Sequence, residues 1–214
     1  MVTADQALAT APCAKSVFIN CPYDAAYEAL LHTIVYTVVA YGFLPCSART
    51  SESEAVPRIQ RIVDTLSRCK YSIHDLSRFT GEGQDNLARF NMPLELGIAI
   101  GFGHVRQEQG RTHNWLLLVP GDARLEQFVS DLKAYDPFQH ESTPQSVLRE
   151  VSAWLRMQED VIQPPPLPSL VLGRLPQFQA EIEQVRQATL NRLNWGDLVS
   201  TAEHTVARLS ANAG

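Results

Sequence analysis

Long hydrophobic runs are missing from this chain. The longest apolar stretch, TIVYTVVAYGFL at 33–44, falls short of the ~20 residues that span a bilayer. Cysteine is sparse: Cys13, Cys21, Cys46 and Cys69 are widely spaced and form no C-x-x-C pair. That pattern excludes a disulfide framework and a zinc ribbon, and it reads as reduced cytoplasmic thiols. The opening MVTADQALATAPCAK lacks a basic segment followed by an apolar one, so no secretory leader is expected. A basic excess is absent too. The net charge is −5, which speaks against a generic nucleic-acid or anionic-membrane binder but leaves room for local arginines on one phosphate compound. There is no Walker A motif and no G-x-S-x-G elbow. The six histidines are scattered without metal-ligand spacing, so no metal and no bound cofactor are expected. GEGQDN at 81–86 opens like a dinucleotide fingerprint but lacks its last glycine.

What remains is a globular composition, 45% apolar and 19% charged, on a chain of 214 residues. That length supports a substantial core without staples. Residues 1–14 are small and polar and read as a flexible tail. KSVFIN (15–20) reads as a strand stopped by Pro22. Asp24 is the expected N-cap of a helix whose stripe is Tyr27, Leu30, Leu31, Ile34, Val35 and Val38, with Gly42 as terminator. FLPCSA (43–48) is a second strand, and Pro45 marks it as a sheet edge. Pro57 opens a helix carrying Ile59, Ile62, Val63 and Leu66.

YSIHDL (71–76) is the third strand. A helix apolar nearly all round follows at 92–102, with GFGHV capping its end. NWLLLVP (114–120) is the fourth strand. ARLEQFVSDLKAY reads as helical, AYDPF as a short fifth strand, and PQSVLREVSAWLRMQ as an amphipathic helix. Strands alternating with helices predict an α/β fold, a parallel sheet covered on both faces. QPPPLP (163–168) is a stiff spacer. Two helical stretches follow, one striped by Phe178, Ile182, Val185, Thr189 and Leu193, the other at 196–209. Two helices bury no core alone, so they are expected to pack on the α/β body or on another chain. The organisation predicted is a tail at 1–14, an α/β domain at 15–160, a proline-rich linker at 161–172 and a C-terminal helical extension at 173–214.

Open parallel sheets bind ligands beyond the carboxyl ends of their strands, at the point where strand order reverses. In the flavodoxin-like order 2-1-3-4-5 that crevice separates strands 1 and 3. Asn20, Cys21, Pro22 and Tyr23 follow strand 1, and Asp75, Ser77 and Arg78 end strand 3. Asn91 and Glu95, four apart, share one face of the next helix start. Glu95 stands among apolar neighbours in MPLELGIAIG, and a carboxylate buried unpaired is costly. Each residue also has a plain structural reading. Glu95 is an N3 residue completing a cap behind Pro93, or it is functional. Asp75 caps a turn or pairs with Arg78, or it is functional. His74 reads as a satisfied core histidine, Cys21 as a small core residue, Asn91 as an N-cap and Tyr23 as packing with a wet hydroxyl.

VFINCPYD, YSIHDLSR and FNMPLELGIAIG together resemble a bacterial family of TIR-like proteins related to nucleoside 2-deoxyribosyltransferases. The resemblance covers about 15–160, and E-L-G-x-A-x-G is its most specific part. It implies a flavodoxin-like sandwich. It implies catalytic roles for the motif glutamate, which maps to Glu95, and for the strand-end aspartate, which maps to Asp75. In deoxyribosyltransferases that glutamate attacks the sugar; in catalytic TIR domains it holds the ribose while nicotinamide leaves NAD. The further aspartate that deoxyribosyltransferases often carry just before the glutamate is missing from LARFNMPLE, where Asn91 is the nearest polar group. The expected activity is therefore a nucleotide N-glycosidase, with NAD as substrate rather than cofactor. Asn20, Cys21, Pro22, Tyr23, Ser77, Arg78 and Asn91 would bind the substrate. Base exchange between nucleosides and a non-catalytic nucleotide-sensing scaffold are the alternatives. The resemblance also implies a cytoplasmic, self-associating protein of antiviral defence.

Overall fold

The strand and helix signals resolve, in a computed structural model describing residues 13–48, 56–78, 90–121, 123 and 130–211, into one parallel sheet. Its strands are β1 (Cys13–Asn20), β2 (Leu44–Cys46), β3 (Cys69–Asp75), β4 (Asn114–Pro120) and β5 (Phe138–His140), in the order β2-β1-β3-β4-β5. All four pairings are parallel. The helices are α1 (Glu28–Ala40), α2 (Arg58–Ser67), α3 (Asn91–Glu108), α4 (Pro144–Leu155), α5 (Pro168–Ala188) and α6 (Trp195–Ala211). This is the flavodoxin-like order, with the reversal between β1 and β3. Among the described residues no helix is long and apolar enough to cross a membrane.

The period-2 alternation of each strand sorts the layers. Val17, Ile19, Tyr71, Ile73, Leu116 and Leu118 point to one face, where they pack with α1, α4, α5 and α6. Phe18 points to the other, against Ile62 and Leu66 of α2 and Ala99 of α3. Leu117 and Val119 meet Met92 and Leu96 of α3 on that same face. The later parts of β1 and β4 are buried on both sides, which is why VFI and LLLV run apolar without alternating; the edge strands β2 and β5 are only partly buried.

Several boundaries differ from the sequence reading. Residues 1–12 of the expected tail lie outside the described residues, and Cys13 and Ala14 already belong to β1. Asp24 caps a turn rather than α1: its Oδ1 accepts from Tyr27 N at 3.1 Å, and the helix begins at Glu28. GFGHV does not cap α3, which runs on to Glu108 and ends before Gly110 at φ +68. Packing outweighs the helix-weakening effect of Gly101 and Gly103 here, because the buried face of Leu96 and Ala99 resumes beyond them at Arg106. Asn91 is the first residue inside α3, not its cap, and Glu95 lies beyond the N3 position. The short fifth strand falls at Phe138–His140, later than AYDPF. GEGQDN and residues 124–129 of ARLEQFVSDLKAY lie outside the described residues, and the described end of the latter is a 3-10 turn, Ser130–Ala134.

The C-terminal helices pack on the α/β body. α5 starts at Pro168, inside the expected linker. Val171, Leu175, Phe178 and Ile182 of α5 and Leu198 and Ala202 of α6 join the same core as Val17 and Ile34. Phe178 stacks on Tyr36 with ring centroids 4.8 Å apart, and the Tyr36 hydroxyl donates to Val171 O at 3.1 Å.

Candidate functional site

α3 lays Met92, Leu96 and Ala99 against the sheet. Those positions, four and three apart, form one stripe. Glu95 precedes Leu96 and lies on the flank of that stripe, turned towards α2. It is 4% exposed, and its partner among the described residues is the Arg58 guanidinium, whose Nη2 donates to Oε1 at 3.3 Å. Burial raises the Glu95 pKa from 4.5 to about 7, and the Arg58 charge lowers it only in part. Arg58 itself is more than half exposed, so water screens the pair.

Two cavities share Glu95 and Arg58 as walls. One, of about 250 Å³, is completed by Phe18, Ile19, Tyr23, Ala48 and Arg61. The other, of about 230 Å³, is completed by Ile59, Ile62, Asn91 and Leu94. The first is rich in donors and cationic groups; the second is mainly apolar. A single carboxylate thus stands between a compartment suited to an anion and one suited to a flat apolar ring.

Tyr23 and Asn91 meet Glu95 at these cavities. The Tyr23 hydroxyl donates to Ile19 O at 3.1 Å and lies 3.1 Å from Ser47 Oγ. Asn20, Cys21 and Pro22 are buried. Asn20 Nδ2 donates to Met92 O at 3.1 Å and to His74 Nδ1 at 3.0 Å, pinning the end of β1 to the first turn of α3. Arg78 grips Asp24 with two hydrogen bonds, at 2.9 and 3.1 Å, and so faces the turn after β1 rather than Asp75.

Asp75 belongs to a different environment. It shares the parity of Tyr71 and Ile73 and therefore points to the α1 face, whereas Glu95 lies on the α2–α3 face. It is fully buried and lines neither cavity. Tyr27 Oη donates to its Oδ2. Ser77 donates to Oδ1 from its hydroxyl and, at 2.8 Å, from its backbone N. His140 Nε2 stands 3.1 Å from Oδ2. Because His140 Nδ1 accepts from Ser142 N at 3.1 Å, the ring proton sits on Nε2 and is donated to Asp75. Four donors fill the four acceptor sites of the carboxylate. Burial first, then the Asp75 charge, push the Tyr27 pKa well above its ordinary value.

His74, under the other face, is fully buried and held neutral, its pKa lowered to about 3 by burial and then by His113. Since Asn20 donates to its Nδ1, its Nε2 proton goes to Ser72 Oγ at 2.9 Å. Arg58 and Arg61 are the site residues that sequence reasoning passed over. Their spacing of three on α2 puts them on one helix face, but exposed arginines opposite an apolar stripe look like any solvated surface. Among the described residues no group of His, Cys, Asp and Glu has the arrangement to hold a metal ion. Compared with known proteins, the chain matches no family model and no curated sequence.

Proposed function

We propose that this protein cleaves the N-glycosidic bond of a nucleotide, with NAD the first substrate. The observation that carries the reading is Glu95: a buried carboxylate, partnered by one exposed guanidinium, opening into two adjoining cavities. As the bond between ribose C1′ and the nicotinamide nitrogen lengthens, positive charge passes from the ring to the sugar. The electron pair of the bond stays on nitrogen and leaves neutral nicotinamide. A carboxylate beneath C1′ interacts more strongly with this oxocarbenium-like state than with the ground state. Water then adds to C1′ and releases a proton, giving an ADP-ribose product. Arg58 and Arg61 suit the pyrophosphate, and Ile59, Ile62 and Leu94 suit the leaving ring.

Nicotinamide is already cationic in NAD and needs no general acid. A nucleoside base would need one. Asp75 has its acceptor sites filled and lines neither cavity, so the geometry favours hydrolysis of NAD over base exchange. In this reading Asp75 is a positioning residue for the ends of β3 and β5. Glu95→Gln is expected to keep the fold and lose nicotinamide release, at least a hundredfold, by mass spectrometry of NAD digests. Normal turnover by that variant would reduce Glu95 to a structural group. Binding of NAD by the wild type without turnover would make the protein a nucleotide sensor instead. Cytoplasmic self-association belongs to the same proposal, and full activity of a strict monomer in size-exclusion would remove it.

A further inference from the structure

The opposite end of α3 holds a third cavity, of about 330 Å³, where the last turns of the helix meet the start of β4. His104 lies nine residues beyond Glu95 on α3, about 13 Å along the axis at 1.5 Å per residue. The cavity is lined by His104, Gln107, Arg111, His113, Trp115 and Tyr135 among others, and no carboxylate is among its described lining residues.

Behind its floor lies Arg106, 2% exposed. Its guanidinium donates to Cys69 O at 2.6 Å, to Ser67 O, and to His113 Nδ1 at 2.8 Å. No carboxylate pairs with it among the described residues. Burial first, and also the nearby Arg111 charge, lower its pKa. His113 is held neutral, its pKa lowered to about 4 by burial and then by Arg106. Its Nδ1 lies 2.8 Å from Arg106 Nη1 and 3.1 Å from Cys69 O, and its Nε2 lies 3.0 Å from Ser72 Oγ. Two guanidinium charges therefore crowd one end of the molecule with only backbone carbonyls and a neutral ring against the buried one. A buried cation without a counter-charge is costly, and an anion in the cavity would offset that cost. Two carbonyls of the last turn of α3 are already engaged. Arg106 O accepts from Gln109 N and Arg111 N, and Gln107 O accepts from Gly110 N.

The other wall is aromatic. Trp115 and Tyr135 meet edge to face, with centroids 4.8 Å apart, and Tyr135 is 40% exposed. A planar ring can join this pair by stacking. The volume lies at the lower end of the roughly 300–1,000 Å³ typical of small-molecule sites, which suits a mononucleotide better than a dinucleotide.

We propose that this cavity is a second ligand site, separate from Glu95, that takes a mononucleotide: the base against Trp115 and Tyr135, the phosphate towards Arg111 and His104, and Gln107 on the polar edge of the ligand. The proposal does not depend on the glycosidase reading.

The test titrates the full chain separately with adenosine, guanosine, cytidine and uridine 5′-monophosphates, followed by calorimetry. Inorganic phosphate and the matching nucleosides serve as half-ligands. At least one mononucleotide should bind once per chain, tighter than about 1 mM, with both half-ligands at least tenfold weaker. Arg111→Gln and Trp115→Leu should each weaken binding at least tenfold, with circular dichroism unchanged. The double variant Arg58→Gln/Arg61→Gln should bind as the wild type does. No saturable binding by any of the four would overturn the proposal. So would binding that survives at the Arg111 and Trp115 variants and is lost at the Arg58/Arg61 one, because the ligand would then occupy the Glu95 cavities.

Discussion

At Glu95 two opposing effects set the charge. Burial favours the neutral acid, and the Arg58 guanidinium favours the carboxylate; the balance falls at about 7. If cleavage needs the ionised form, kcat/KM should rise with pH along an acid limb centred near 7. Arg58→Gln removes the charge that opposes burial, so the limb should move to higher pH in a pH–rate profile. An unmoved limb would mean that Glu95 is not the titrating group. The same pKa has a consequence for stability. A carboxyl whose pKa is raised on folding contributes most below its ordinary value, and that contribution is lost as pH rises through the folded value. The window here is 4.5 to about 7. Glu95→Gln does not titrate, so its stability relative to wild type should grow across that window, by up to roughly 3 kcal/mol, and level off above it. Urea unfolding at pH 4.5 and pH 8 measures the difference. Glu95 was legible in the sequence because a carboxylate inside an apolar helix is conspicuous. Arg58 was not, because its partner is set by the meeting of α2 and α3, which no local pattern records.

Between elements, the turn from α1 to β2 depends on a glycine for two separate reasons. Gly42 adopts φ +82, and a Cβ built on it would lie 1.9 Å from Ile162 Cγ2. Ile162 N also donates to Tyr41 O at 3.3 Å, bringing the segment after α4 down onto this turn. Gly42→Ala should therefore cost about 1–2 kcal/mol for the left-handed backbone and about 1–3 kcal/mol more for overpacking. Ile162→Ala should relieve only the second part. In denaturant melts the double variant should be more stable than the sum of the single changes predicts, by about 1–3 kcal/mol. Strict additivity would show that the two residues do not meet. The glycine's role as a stop signal was readable from its place after an apolar stripe; its contact with Ile162, far along the chain, was not. The same distinction applies at β3. That a strand ended at Asp75 was legible, but the period-2 alternation that turns Asp75 towards α1 became decisive only once the helix layers were assigned. Likewise Gly101 and Gly103 looked like the end of a helix, and only packing against the sheet shows why α3 continues.

For the whole molecule, the question is whether the C-terminal helices fold as a separate unit. Their composition and the proline-rich stretch before them read as an appendage, and α5 begins at the last proline of QPPPLP. Yet the stripe of α5 has no core of its own. Phe178 is fully buried against Tyr36, and Val171, Leu175 and Ile182 share a cluster with β1, β3 and β4. One continuous core should melt as one cooperative unit. Phe178→Ala removes an aromatic side chain from its centre and is expected to cost about 3–5 kcal/mol, lowering the melting midpoint on the order of 10 °C. Unfolding should remain a single transition, and hydrogen exchange should quicken at the amides of β1 and β3 as well as along α5. Two separate transitions, with exchange in β3 unaffected, would show that α5 and α6 unfold independently of the sheet. The packing tested is that of α5 and α6 on α1 and of α5 on α4, the helices that lie between them and the sheet.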